Sequence, residues 1–300
     1  MPSPWTHSKP PRITKVTSNI NGNDLLESAF GTHEAHNKLH GYDLRVLRDR
    51  ITDGGSTQAA YLLSIIVNEL ERPKQQRTEW LLWFQPDVIV LNPEVPLEVF
   101  LPPDSDFDHV HLLATHDNAD KLDSGVFFLR VHEWSAKMLV EVLSSSQKDR
   151  LALSNVLRSA GVRDSVYYQP RHWYNAYATS ANTSEYQRGN VQLHFHGSGG
   201  DKWSGLSNML DILSSAPSDF AVSLGRTSYE AETRAYWSRI EMAHRVLRKA
   251  ERRLEEEGVQ ARFQRLAYAT NYEADKERVM QEAIDGLRDA LGVNHGEHAI

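Results

Sequence analysis

The chain of 300 residues is 40% hydrophobic and 24% charged, with a formal net charge of −7. This composition is that of an ordinary globular protein with a sizeable core, and the acidic balance argues against a generic nucleic-acid binder, because phosphate backbones attract basic surfaces. Cysteine is absent, which excludes disulfides and thiolate chemistry and leaves carboxylates and imidazoles as the ligands for any metal.

No apolar segment reaches the length of a membrane span, and residues 1–16 lack the hydrophobic stretch of a secretory signal. We therefore predict a soluble, cytoplasmic protein without a membrane span. Residues 1–12 are rich in proline and polar side chains and are predicted to be a disordered tail.

The first part of the chain alternates strands with helices. A strand is predicted over 13–18, and the helix after it begins with a capping box of Asp24 and Glu27 and ends at Gly41. A second strand over 42–47 and a helix over 58–71 lead to a third strand. This β-α-β-α-β order predicts an α/β fold with a parallel sheet and right-handed crossovers.

Residues 79–103, EWLLWFQPDVIVLNPEVPLEVFLPP, contain the third strand. The apolar run from Trp80, with a bend at Pro86, predicts a strand that is buried on both faces at the centre of a sheet. Asp87 lies in the middle of this run, and a buried carboxylate must be paired, hydrogen-bonded or bound to a cation. The alternative is an ordinary carboxylate in a turn.

The remaining elements fall on either side of a linker at 214–220. Before it, strands are predicted over 109–115, 125–131, 166–169 and 190–195, and helices over 134–143, 148–160 and 203–213. After it, Tyr236, Ile240 and Ala243 begin an apolar stripe on a long helix over 227–258, and a similar stripe recurs near the C-terminus. We predict an α/β domain over 13–220 and a helical extension over 221–300, which offers a surface for self-association. The basic residues of 245–253 are predicted to be a solvated face, with an acidic partner as the alternative.

Two adjacent groups of residues suggest a site near the last strand. In HFHG, His194 and His196 lie two apart, so on a strand both imidazoles would share a face, and with a distant carboxylate they would suit manganese or zinc. The alternative is that both satisfy ordinary hydrogen bonds. The glycines that follow, Gly197 and Gly199, allow backbone N–H groups to approach an anion, and Lys202 adds a charge for phosphate oxygens. An ordinary flexible loop is the alternative here.

A third polar group lies between two predicted strands. Asp117, Asp123 and Ser124 belong to the segment 115–124, and polar side chains at the carboxyl ends of α/β strands are where ligands commonly bind. Solubility alone also accounts for such acidic loops.

Several segments together carry a family resemblance. The long apolar run at 79–103, LDSGVFFLRVHEWS, YQPRHWYNAY, LHFHG and the earlier HEAHNKLHGYDLRVLRD occur in consistent order over about 13–213. They resemble the galactosyl, mannosyl and xylosyl transferases of glycosyltransferase family 34. The resemblance implies a GT-A fold, a UDP- or GDP-linked sugar donor, a manganese-type cation and transfer with retention to a glycan or small-molecule acceptor.

Carried over by position, the family's Asp-x-Asp motif falls on residues 85–87, where Gln85 replaces the first carboxylate and Asp87 matches the second. The family's metal-binding histidine matches His194, and its Asn-x-Gly becomes Asp123-Ser124-Gly125. Its Asp-Gln pair beside the anomeric carbon falls on Asp149 and Arg150, and a lysine usual near Gln58 is replaced.

From these matches and the clusters above we predict three sets of site residues. The metal set is Asp87, His194 and His196. The nucleotide-binding set is Thr17, Gln85, Asp87, Gly197, Gly199 and Lys202. The catalytic set is Asp123, Asp149 and Arg150.

The departures from the family motif leave two further hypotheses open. The first is a catalytically silent relative that acts as a binding or scaffolding subunit through its C-terminal helices. The second is an enzyme that performs a different reaction on a small natural product.

Overall fold

The computed structural model describes residues 10–20, 22–51, 57–103, 106–145, 149–159, 161–178, 187–197 and 199–293, without the side chains of Asp149 and Arg150. The strands are β1 Ile13–Ser18, β2 Asp43–Leu47, β3 Trp80–Phe84, β4 Val88–Val90, β5 Leu112–His116, β6 Leu122–Arg130, β7 Val166–Tyr168, β8 Ala176–Tyr177 and β9 Gln192–His194. The helices are α1 Asp24–His40, α2 Thr57–Glu71, α3 Glu133–Ser144, α4 Asp149–Val156, α5 Gly200–Ser215, α6 Tyr229–Ala250, α7 Val259–Tyr272 and α8 Glu277–Ala290. The predicted tail lies outside the described residues except for 10–12.

The main sheet has six strands in the order β2-β1-β3-β6-β5-β7. Only β6 runs against its neighbours β3 and β5 among these six, so the sheet is mostly parallel. All five residues of β3 are buried, as expected for a central strand covered on both faces. The predicted mixed α/β class with a mostly parallel central sheet is confirmed.

The predicted continuation of the central strand beyond Asp87 is wrong. Pro86 and Asp87 form a turn, closed by a 3.0 Å hydrogen bond from the Val88 amide to the Gln85 carbonyl. The chain then leaves the main sheet, and β4 pairs antiparallel with β9 in a second sheet of order β4-β9-β8. The turn has a local cause, because proline has no N–H to donate to a strand ladder.

The start of α1 also differs from the prediction. Asn23, not Asp24, is the N-cap, and its side chain accepts a 2.9 Å hydrogen bond from the Leu25 amide. Glu27 bonds to the side chains of Asn19 and Arg48 and so does not close a capping box. Gly41 ends the helix as predicted, with a φ of 76° that suits glycine.

Three histidines of α1 attach the helix to the segment after Asp87. The Nε2 atom of each ring contacts a backbone carbonyl: His33 that of Val88 at 2.9 Å, His36 that of Val95 at 2.9 Å and His40 that of Pro93 at 2.7 Å. These contacts hold β4 and its following loop against α1 and thereby fix the position of the preceding turn.

The C-terminal helices contribute to two cores. Tyr229, Tyr236 and Trp237 of α6 pack into the same buried cluster as Phe100 and Trp173. The second half of α6 packs with α7 and α8 in a separate cluster. The long helix ends at Ala250 and a short 3₁₀ segment follows it, so the predicted continuation to residue 258 is wrong. The boundary at 220 stays a prediction. Within the described ranges, no helix combines the length and apolarity that crossing a membrane requires.

Candidate functional site

A cavity of about 350 Å³ opens at the carboxyl ends of three neighbouring parallel strands. Ser18 ends β1, Leu47 ends β2 and Gln85 follows β3, and all three residues line it. Lys202 and Trp203, from the first turn of α5, line it as well. The carboxyl edge of an open α/β sheet is the position where ligands bind in such folds.

The turn between β3 and β4 presents Gln85 and Asp87 to this cavity. The backbone amide of Gln85 donates to the Gly125 carbonyl at 2.8 Å, and the backbone amide of Phe195 donates to the Asp87 carbonyl at 3.1 Å. Asp87 is only 3% exposed. Both side chains are therefore held by backbone contacts to β6 and to the end of β9.

His194 is brought to the same point by strand pairing. It lies opposite Val88 in the β4–β9 ladder, and its Nε2 atom is 3.6 Å from Oδ1 of Asp87 and 3.0 Å from Oε1 of Gln85. On the other side of the ring, Nδ1 lies 2.8 Å from Oδ1 of Asn175. The acid near the central strand and the imidazole of the last strand thus converge as the sequence analysis expected, and their role as metal ligands stays a prediction.

The partners of Asn175 determine which ring nitrogen of His194 carries the proton. Nδ2 of Asn175 lies 2.8 Å from Oδ2 of Asp123 and 2.8 Å from Oγ1 of Thr115. An ionised carboxylate can only accept, so the amide NH₂ faces Asp123 and the amide oxygen faces His194. Nδ1 of His194 therefore donates.

The opposite nitrogen of His194 carries a lone pair. Burial lowers the pKa of His194, although the charges of Asp87 and Asp123 act to raise it. The ring is therefore neutral at pH 7, with its one proton on Nδ1 and the lone pair of Nε2 directed toward Gln85 and Asp87.

Asp123, predicted as catalytic, is enclosed by hydrogen bonds. Oδ1 accepts from the Gly125 amide at 2.7 Å, and Oδ2 accepts from Asn175 and from the hydroxyl of Tyr177. Burial, reinforced by Asp123, raises the pKa of Tyr177, which keeps that hydroxyl protonated. Asp123 is 4% exposed, and in this arrangement it orients Asn175, which in turn orients His194.

Lys202 places a positive charge directly on Asp87. Its ammonium group forms an ion pair with Oδ2 of Asp87, and it donates to the Gly197 carbonyl at 3.2 Å. Gly197 and Gly199 have φ values of 116° and 114°, a region that glycine adopts without steric cost. The two glycines come shortly before Lys202 and Trp203, the residues by which the first turn of α5 lines the cavity.

The donor set was tested against the divalent cation that the family resemblance implies. Oδ1 of Asp87 is buried without a hydrogen-bond partner among the described residues, which by itself would favour a cation. The set holds one carboxylate, however, and Lys202 already neutralises it; Gln85 supplies only a neutral amide. Magnesium and manganese prefer several charged oxygens, and no cluster of three histidine or acidic residues suits a metal within the described ranges. The residues present therefore do not fit a resident divalent cation.

The remaining predicted site residues are Thr17, His196, Asp149 and Arg150. Thr17 is fully buried next to Ser18. His196 lies beyond the end of β9, is exposed and stacks on Tyr177 with ring centroids 4.5 Å apart, while its centroid is 5.5 Å from that of His194. Asp149 and Arg150 start α4, and their side chains lie outside the described residues.

The sequence analysis missed several residues of the site, among them Ser18 and Trp203 of the cavity wall. Asn175 and Tyr177 lie in the aromatic segment PRHWYNAY, and Trp83 lines the cavity from β3. A single asparagine among aromatic residues was the available signal, because a buried amide needs partners for both its donors and its acceptor.

Comparison with known proteins shows the fold. No family model and no curated protein matches the sequence. A glycosyltransferase involved in the glycosylation of the major capsid of PBCV-1 is similar in structure, with a TM-score of 0.53 and 14% identity over 67% of this chain and 100% of that one. The galactosyltransferase LgtC, in complex with donor and acceptor sugar analogs, aligns with a TM-score of 0.44 and 14% identity over 67% of this chain and 95% of its own. From the first of these likenesses and the sheet order described above, the chain has a GT-A type fold.

Proposed function

We propose that this chain is a glycosyltransferase that binds a nucleoside diphosphate sugar in the cavity at the carboxyl edge of the sheet. The observation that carries the proposal is the ion pair of Lys202 with Asp87 at one wall of that cavity, with the buried ring of His194 3.6 Å behind Asp87. The volume of about 350 Å³ is in the range of small-molecule sites, and a GT-A type fold makes a sugar nucleotide the natural candidate.

Each part of the donor would meet a suitable group. The ammonium of Lys202 and the backbone amides at the start of α5 suit a diphosphate, since both offer positive charge or unpaired N–H donors. Trp203 is 38% exposed and offers an aromatic face for a base or a ribose. The donor is proposed to be UDP- or GDP-linked.

The proposed reaction exchanges one C–O bond for another at the anomeric carbon. The bond to the diphosphate breaks with its electron pair on the phosphate oxygen, the acceptor hydroxyl forms the new bond, and its proton leaves to the departing phosphate or to solvent. Charge develops on the leaving diphosphate, so a cationic group fixed beside it stabilises the transition state. Lys202 is that group, and retention of configuration is part of the proposal.

A donor-binding but catalytically silent relative is the second candidate. One observation favours it: both oxygens of Asp123 are already engaged by Gly125, Asn175 and Tyr177. A carboxylate with these contacts acts on His194 through Asn175 and does not face the cavity.

The test combines binding with turnover. UDP and GDP are titrated with and without manganese while tryptophan fluorescence is recorded, because Trp83 and Trp203 line the cavity. UDP-galactose, UDP-glucose, UDP-xylose and GDP-mannose are then incubated with the protein, and released nucleoside diphosphate is measured. We expect saturable binding of one nucleotide and slow hydrolysis of its sugar even without an acceptor.

A matched pair of variants locates the binding. Ser18→Phe fills the donor cavity and should weaken nucleotide binding by about tenfold or more, equivalent to about 1.4 kcal/mol. Ser207→Phe places the same side chain in the separate groove between α1 and α5 and should leave binding unchanged. Binding without release from any donor would support the silent relative, and absence of binding under every condition would contradict both candidates.

A further inference from the structure

The ammonium group of Lys202 lies beside Asp87, and both residues line the cavity. It contacts one oxygen of Asp87, and it is also tied to the Gly197 carbonyl, which fixes its place relative to the start of α5. An ammonium has three N–H donors, so one remains after these two contacts. The side chain of Lys202 is 15% exposed, enough for a ligand in the cavity to reach it.

Gln85 removes the need for a cation between its side chain and His194. A carboxylate at this position would face the lone pair of Nε2 with a second set of lone pairs, and a cation between them would relieve the repulsion. An amide can present its NH₂ group instead. When the side-chain amide of Gln85 is rotated so that its NH₂ group faces the ring, the 3.0 Å separation of the two side chains is that of an ordinary hydrogen bond to Nε2 of His194.

The formal charges at the site also balance. Asp87 and Lys202 cancel, and Gln85 and the ring of His194 add none. A divalent cation entering this set would displace or repel the ammonium and would gain a single carboxylate, whereas a diphosphate entering it meets a cation already in place.

From these contacts we infer that Lys202, held by Asp87 and Gly197, serves as the built-in counter-ion for the donor diphosphate, so that nucleotide binding requires no divalent metal. This inference rests on the proposed function and deepens it. It differs from the manganese dependence that the family resemblance implies, and it assigns Asp87 the role of a positioning residue in place of a metal ligand.

The experiment measures affinity for UDP and GDP, by calorimetry and tryptophan fluorescence, in EDTA and in manganese. We expect the native chain to bind one of them equally well in both. Lys202→Met should weaken this binding by about 10- to 100-fold, the effect of removing one charge-assisted hydrogen-bonding group. Lys202→Arg keeps the charge and should retain most of the affinity, and Lys249→Met, on the exposed face of α6, is the control.

Two further variants, at Asp87 and Gln85, distinguish a site that holds the Lys202 counter-ion from a site that binds a metal. Asp87→Asn removes the negative charge beside the ammonium but keeps an oxygen that accepts from it, so nucleotide affinity should stay the same or rise in EDTA. At a metal-dependent site the same change would weaken the binding measured in manganese. Gln85→Asp supplies the second carboxylate, and this variant, unlike the native chain, should bind manganese in an electron paramagnetic resonance titration.

The outcomes distinguish the inference from the proposed function. Binding by the native chain only in the presence of manganese, or undiminished binding by a folded Lys202→Met variant, would overturn the counter-ion role and leave the donor site standing. If Lys202→Met fails to fold, the comparison of EDTA with manganese and the response of Asp87→Asn decide the question. No binding in either condition would remove the donor site itself.

Discussion

A Cβ atom added at Gly125 would lie 2.4 Å from Cε1 of His194. The imidazole of His194 therefore packs directly on the backbone of β6, in the space that any other residue would fill. The carbonyl of the same glycine accepts a hydrogen bond from the backbone amide of Gln85, and its own amide donates one to Oδ1 of Asp123. Its lack of a side chain thus allows three parts of the site to meet.

Substitution of Gly125 should damage both the site and the stability of the fold. Gly125→Ala forces the ring of His194 to move, and overpacking of this kind costs about 1–3 kcal/mol. We expect a lower free energy of unfolding in urea and at least tenfold weaker nucleotide binding, about 1.4 kcal/mol. Gly31→Ala in α1 is the control, because nothing lies within 4 Å of its added methyl and alanine favours a helix. Equal behaviour of the two variants would contradict the close packing of Gly125 on His194.

Loss of the Asn175 amide should destabilise the protein. Asn175→Ala removes the hydrogen-bond partner of Oγ1 of Thr115 and of Nδ1 of His194, while Asp123 keeps its bonds to Gly125 and Tyr177. Buried polar groups without partners cost about 1–3 kcal/mol each. We expect a decrease of about 2–4 kcal/mol in the free energy of unfolding, measured by urea denaturation. The exposed Asn208→Ala on α5 should change it by less than about 0.5 kcal/mol. A similarly small change in Asn175→Ala would show that Asn175 does not hold His194.

Lys15 should make stability increase with pH on the alkaline side of neutrality. Burial lowers the pKa of Lys15 well below its ordinary value, against the opposing charge of Glu98. The unfolded chain keeps the proton up to about pH 10.4 and the folded chain releases it earlier, so each unit of falling pH costs up to about 1.4 kcal/mol. Lys15→Met should reduce this slope.

The measurement for Lys15 is urea unfolding at pH 7.5, 8.5 and 9.5 for both chains. The series stops at pH 9.5 because tyrosines ionise above it. The buried Tyr174 and Tyr236 have raised pKa values in the folded state, so their ionisation would add a second pH dependence. Lys249→Met should leave the slope as it is. Parallel curves for native and Lys15→Met would refute the contribution of Lys15.

Acidification should unfold the protein through its buried histidines. Burial lowers the pKa of His111 to about 3 and that of His244 to about 4. Unfolded histidines bind a proton near pH 6.5, about 2.5 to 3.5 units higher, so the folded state loses stability as pH falls from about 6.5 toward 4 and, for His111, toward 3. His111→Phe should reduce the slope by up to about 1.4 kcal/mol per pH unit. Urea unfolding at pH 7.0, 6.0 and 5.0 measures it, and an unchanged slope would argue against His111.

The pattern of the sequence was sufficient for the sheet and for one pair of site residues. The apolar run that contains β3 and the short run of β9 each end at a polar side chain, and alternation of strands with helices predicts parallel pairing. The convergence of Asp87 and His194 was expected from their places at the ends of these runs, and in the structure the antiparallel pairing of β4 with β9 produces it. The departure of β4 into a second sheet was less accessible, because the hydrogen-bonding partner of Val88 lies at His194, far along the chain.

The role of Asp123 could not be predicted from its position. The sequence shows an acidic residue before a glycine in a polar segment, which suits a ligand site and an enclosed network equally. Its partners Asn175 and Tyr177 come from β8 and the loop before it, and β8 has only two residues. Periodicity does not detect so short a strand. The ion pair of Lys202 likewise joins α5 to the turn after β3, and no periodicity in the sequence predicts that contact.

Gln85 and His194 meet across 109 residues of chain, and this separation determines when the site can exist. Contacts between distant residues form late, because the entropy of closing a long loop must be offset first. A nascent chain that has not yet emerged as far as β9 has the main sheet without the imidazole that lies behind Gln85 and Asp87. A nucleotide that binds at this site would therefore stabilise only molecules that have passed this step, and added nucleotide should slow their unfolding without hastening the early steps of assembly.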